Sequence, residues 1–105
     1  MRTHDPEQMA AEWRAQDLER TAGMEWSVKF EQFTSNRTHS GDREYRATMP
    51  ECFQMFDDYK RIHIALGARK SYGNGWYYVL EFPDGSVEFV TLFAGGEQYT
   101  GVRLV

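Results

Sequence analysis

Residues 76–82 and 87–93 constrain the fold of this chain more than any other feature. Each stretch alternates with a period of two. They are joined by Pro83-Asp84-Gly85, residue types that favour the backbone angles of a tight reversal. A connection this short forces antiparallel pairing. Trp76, Tyr78, Leu80 and Phe82 form one side of the first stretch, and Val87, Phe89, Thr91 and Phe93 one side of the second. The residues between them are also apolar, including Tyr77, Val79, Val90 and Leu92. A sheet with one wet face alternates cleanly between apolar and polar. Here either both faces are covered within the chain, or one is covered only in a complex, since large apolar patches mark interaction sites.

The neighbouring segments read as further strands. Ile62, Ile64, Leu66 and Ala68 alternate with His63, Ala65, Gly67 and Arg69, and a turn cluster follows at residues 71–75. Ala94-Gly95-Gly96 turns the chain again, and residues 99–105 close a predicted C-terminal four-stranded meander. Upstream, Met24, Trp26, Val28 and Phe30 alternate with Glu25, Ser27, Lys29 and Glu31, the pattern of a half-buried strand. A polar loop is expected at residues 35–43 and a short return strand at residues 44–48.

Two helices complete the pattern. Asp5, Pro6 and Gln8 form a start signal, Gly23 is a stop, and Ala11, Ala15, Leu18 and Ala22 make a narrow stripe. Met9 and Trp13 fall on nearly the opposite side, so Trp13 either folds back onto its own domain or contacts another molecule. A second helix is predicted at roughly 49–60. Thr48 and Glu51 form a capping box, Pro50 sits in the first turn, and Met49, Cys52, Phe53 and Phe56 make the apolar side. The order α-β-β-α-β-β-β-β is that of one α+β domain, residues 1–105. The helices would take one sheet face each, or the first hairpin would fold over as a second layer or close a small barrel.

Composition narrows the function classes. Aromatic residues make up 15% of the 105 residues, too many for a disordered chain. The single cysteine, Cys52, cannot form an internal disulfide. No apolar run approaches membrane-spanning length, and the polar, acidic N-terminus carries no recognisable secretory signal, so a cytoplasmic setting is expected. The net charge of −4 disfavours non-specific binding to nucleic acid or anionic lipid. Residues 61–75 are the exception, with Arg61, Arg69 and Lys70 and no acid.

Chemical motifs are weak. Cys52 lies on the apolar side of the second helix, which favours a buried thiol over a nucleophile. His4, His39 and His63 have no metal-ligand spacing; His4 and His39 read as solvated, and His63 would lie on a strand near Tyr77 or Val79. Asp57 and Asp58, with Glu51, form an acidic helix side suited to a basic partner. The paired glycines are turns, because neither opens a helix as a phosphate cradle must. No catalytic residue, metal or cofactor is expected.

The residues therefore point to a small acidic protein-binding module, an inhibitor or accessory protein that occupies a partner's surface. Interfaces are enriched in Trp, Tyr, Phe, Met and Arg. Trp13, Asp57, Asp58, Arg69, Lys70, Tyr72, Trp76 and Tyr77 are the candidate contacts. The partner would be a protein, including one that normally holds nucleic acid, or a second copy of the chain, and not a membrane. By analogy alone, small acidic one-domain chains are frequent among phage and mobile-element accessory proteins, anti-CRISPR inhibitors included. Two other readings compete. Arg69 and Lys70 beside Tyr72, Trp76 and Tyr77 mix cations and rings, as in proteins that bind single-stranded nucleic acid. A pocket between helix and curved sheet, lined by Trp26, Tyr45 and Tyr78, would hold a small ligand.

Overall fold

The structure, a computed structural model, describes residues 23–100. Within them the chain runs β1 (Trp26–Phe33), β2 (His39–Ala47), α1 (Met49–Ala65), β3 (Arg69–Gly73), β4 (Tyr77–Glu81), β5 (Val87–Ala94) and β6 (Glu97–Gln98). The strands form one antiparallel sheet in the order β2-β1-β5-β4-β3, with β6 paired to the end of β5. The α+β class is as expected. The described residues contain one helix, because the first expected helix lies outside them, as does Trp13.

Strand β5 is the middle strand. Phe30 pairs with Val90 on one side of it and Tyr78 pairs with Val90 on the other. Strands β3, β4, β5 and β6 follow one another as antiparallel neighbours, but β3 lies at Arg69–Gly73 rather than at residues 62–68, β6 is only Glu97–Gln98, residues 101–105 of the expected last strand lie outside the described residues, and β5 also pairs with β1 along its whole length.

Helix α1 starts where the sequence places it. The Thr48 hydroxyl accepts from the Glu51 amide, and the Glu51 carboxylate accepts from the Thr48 amide at 3.2 Å. The end differs: the helix continues to Ala65, so the strand expected from Ile62 to Ala68 does not form. No helix breaker stands between Tyr59 and Gly67, and adding residues to an existing helix is cheap. Gly67, at φ 107°, supplies the left-handed residue that stops it, and the Ala68 amide closes the end on the His63 carbonyl at 2.9 Å. The alternation of Ile62, Ile64 and Leu66 therefore does not mark a strand, and all three are exposed.

The first hairpin is longer than expected. Residues 34–38 make the turn, and β2 begins at His39, inside the segment read as a loop. Thr34 accepts from the Arg37 amide at 2.8 Å, and Arg37 takes a left-handed φ of 64° while its guanidinium donates to the Gly85 carbonyl at 3.0 Å. The β4–β5 turn behaves as its residues demand. Asp84 accepts from the Ser86 amide at 2.9 Å, and Gly85 adopts φ 88°. At the other end of β4, Gly73 lies so close to Tyr78 that a Cβ there would sit 2.5 Å from the Tyr78 Cβ.

Helix α1 covers one face of the sheet. Met49, Cys52, Phe53 and Phe56 pack onto Trp26, Val28 and Phe30 of β1, Tyr78 and Leu80 of β4, Val90 and Leu92 of β5, and Tyr99. Rings dominate: Phe56 and Tyr78 lie 4.7 Å apart between centroids, and Trp26 lies 5.1 Å from Tyr99. The Tyr78 hydroxyl donates to the Phe56 carbonyl at 2.8 Å, which satisfies the one polar atom this ring takes into the core. Burial holds the Tyr78 phenol well above the usual tyrosine range.

Candidate functional site

Alternation along the strands sends the remaining side chains to the opposite face, and among the described residues no helix packs there. Phe89 of β5, Val79 of β4 and Tyr72 of β3 are successive register partners across it, and Phe33 of β1, the partner of Val87, lies on the diagonal from Phe89. Phe33 and Phe89 touch at 5.4 Å between centroids, and Tyr72 lies 5.3 Å from Tyr77. Phe89 retains 38% of its surface and Tyr72 59%, while Val79 and Tyr77 are half-buried. The hydrogen bond to Tyr72 raises the Tyr77 phenol above its usual value. Ser27 and Val87 on this face are buried.

The same face carries a groove of about 580 Å³ near β2, lined by Lys29, Glu31, Asp42, Glu44, Thr91 and Phe93 among others. Lys29 Nζ stands 4.1 Å over the Phe93 ring and 3.8 Å from Glu44. Glu31 pairs directly across the hairpin with Asp42, and His39 Nε2 lies 2.8 Å from Asp42 Oδ1. Those three side chains hold the donor types a metal ion takes, all within 4.8 Å of one another.

Neither outer strand offers a clean edge. Gln32 pairs with Gly41 and Phe33 with His39, so Ser40 is an extra residue in β2; Lys70 pairs with Leu80 and Tyr72 with Val79, so Ser71 is extra in β3. Bulges and charges on outer strands discourage edge-to-edge pairing.

The predicted contact residues divide. Arg69, Tyr72 and Tyr77 share the β3–β4 side of the open face, with Tyr72 against Tyr77 and Arg69 at the other end of the strand pair. Arg69 is paired across the strands with Glu81 at 2.6 Å. Lys70 is exposed in β3. Trp76 packs against the core from the turn before β4, where Asn74 Oδ1 accepts from its amide at 3.0 Å. Asp57 and Asp58 lie on α1, across the sheet from the tyrosines. Asp58 accepts from Gln54 at 2.8 Å and from Arg61 at 2.9 Å, and these two hydrogen bonds, Gln54 first, hold its carboxyl below the usual range. Of the three cations in residues 61–75, Arg61 and Arg69 are thus both paired with acids. Cys52 is fully buried, and desolvation pushes its thiol up.

The other polar constellation was not visible in the sequence. Glu88, one residue before the exposed Phe89, faces α1 and is fully buried. It accepts from Gln32 Nε2 at 2.9 Å, from Arg43 Nη2 at 3.0 Å and from the Tyr59 hydroxyl. Arg43 also donates to the Tyr59 oxygen at 2.8 Å and lies 4.9 Å over the Phe30 ring. Desolvation first, then the hydrogen bond to Glu88 and its charge, push the Tyr59 phenol up to about 12. That phenol stays protonated and donates. His63, expected on a strand, stands instead on α1, 4.3 Å from the Tyr59 ring and 5.5 Å from Phe82. A cleft of about 760 Å³ opens here, lined by Arg43, Tyr59, His63, Phe82 and Glu88 among others. Trp26 and Tyr78, expected to line a pocket between helix and sheet, are buried in the packed core, and Tyr45 packs against it.

No protein-family model matches the chain, and neither a curated protein nor a solved structure is significantly similar to it. No helix among the described residues is long and apolar enough to cross a membrane.

Proposed function

We propose that this chain is a protein-binding module, an inhibitor or accessory protein that docks the sheet face opposite α1 onto a partner's surface. The observation that carries the reading is the row Phe89, Val79 and Tyr72, with Phe33 against Phe89 on the diagonal, which leaves two large rings in contact with water. A lone exposed ring is ordinary, but a contiguous row of them is the anatomy of an interface core. Arg69 and Glu81 flank the row and supply a polar rim. A protein fits this surface better than single-stranded nucleic acid, because Arg61 and Arg69 are both engaged by acids and the chain is acidic overall.

The test compares the wild-type chain with a Tyr72→Glu/Phe89→Asp double variant, both purified from native host cells. Mass spectrometry is expected to find a partner with the wild type that the variant loses, and circular dichroism is expected to show equal folding. A solution mass of twice the monomer that falls to the monomer in the variant would identify the partner as a second copy. A wild-type chain that purifies alone and monomeric would overturn the reading.

A second reading rests on the cleft beside Glu88. Its size suits a small molecule, and its polar groups converge on one buried carboxylate. It is tested by shifts of the Tyr59 and His63 resonances on titration with small cationic and anionic fragments. Resonances unmoved by every fragment would remove it.

A further inference from the structure

We propose that Glu31, His39 and Asp42 bind a divalent transition-metal ion of the zinc class on the β1–β2 hairpin. Imidazole with two carboxylates is a donor set such ions accept, with the remaining positions left to water or to a partner's side chain. The register brings the set together. Glu31 and Asp42 are directly opposite each other, and the extra residue Ser40 turns His39 to the same face, beside Phe33. That ring meets the imidazole edge-on at 5.5 Å and limits its orientation.

The electrostatics point the same way. Two carboxylates placed directly across a strand pair repel each other. Lys29, the nearest cation along β1 on that face, is engaged by Glu44 of the next pair. Glu31 makes no ion pair among the described residues. A divalent cation turns that repulsion into attraction. Metal–donor distances of about 2.0–2.2 Å require the three donors to move closer than 4.8 Å, and all three side chains are exposed and free to adjust. The cluster also opens onto the groove beside Lys29 and Phe93, so an ion held there would face whatever docks on the sheet.

The experiment is a calorimetric titration of the full chain with zinc chloride, paralleled by NMR of the histidine side chains. One ion per chain is expected, with the His39 imidazole signals shifting first. His39→Ala, Glu31→Gln and Asp42→Asn should each weaken binding by roughly tenfold or more, since even outer-shell partners of metal ligands cost that much. His4→Ala should leave it unchanged. All three substitutions are at exposed positions, and thermal melts confirm that each variant is folded. The proposal is overturned if the wild type shows no saturable uptake. It is equally overturned if the His39→Ala variant binds as the wild type does, or if the first NMR shifts are those of His4 or His63.

Discussion

The two faces of the sheet share the same strands and differ in what each asks of its side chains. On the α1 face every large apolar side chain of β1, β4 and β5 is buried, and even the one carboxylate taken inside, Glu88, has three donors. On the other face the rings touch in pairs and remain wet. Burial on the first face has been spent on the stability of the fold. The area on the second is still available for association, since apolar surface stabilises only when water leaves it.

The largest expected contrast comes from truncating a phenylalanine on each side. Phe56→Ala, at a site 1% exposed, should cost about 3–5 kcal/mol in urea unfolding. Phe89→Ala should cost under about 1 kcal/mol, because the ring already keeps over a third of its surface in water. Equal losses would show that the open face is covered after all. Arginines on the two sides give the next contrast. Arg43→Ala leaves the buried Glu88 without its cation and should cost about 2 kcal/mol, less than a wholly buried pair because Arg43 is half in solvent. Arg46→Ala removes only exposed, solvent-screened pairs to Glu44 and Glu25 and should leave the urea midpoint essentially unchanged.

The third contrast is in the alkaline range. The Tyr59 phenol, raised from 10 to about 12 in the fold, holds its proton where the unfolded chain has lost it. Its contribution is complete below pH 10 and fades as pH rises toward 12. Tyr59→Phe should therefore flatten the loss of stability over that window, read from urea midpoints at each pH. A Tyr59→Phe slope identical to that of the wild type would disconnect Tyr59 from the buried carboxylate.

Local signals in the sequence were legible where local chemistry decides the outcome. The Thr48–Glu51 box starts α1, and Asp84-Gly85 turns β4 into β5. The two-sided apolar pattern of β4 and β5 marks strands in the interior of the sheet, with neighbours on both sides. Ile62, Ile64 and Leu66 misled because a period of two outside a sheet has no consequence when the helix before it meets no breaker until Gly67. Glu88 shares its parity with Val90 and Leu92, which was the available hint that it points inward. Its partners come from three other elements, so nothing near it in the chain marks it as satisfied. Glu31 and His39 meet only through the hairpin register, and the bulge at Ser40 that aligns them leaves no trace in composition.

The pairing of Trp26 with Ala94 also orders events in time. Hairpins β1–β2 and β4–β5 close over short loops, whereas β1 and β5 must find each other across α1 and the intervening strands. Loop closure on that scale delays native pairing. The seam between β1 and β5 is then the last to zip, and until it does, both strands offer unpaired amides to any neighbouring chain. Refolding yield should accordingly fall as protein concentration rises, even though the finished sheet has bulged, charged margins that refuse such pairing.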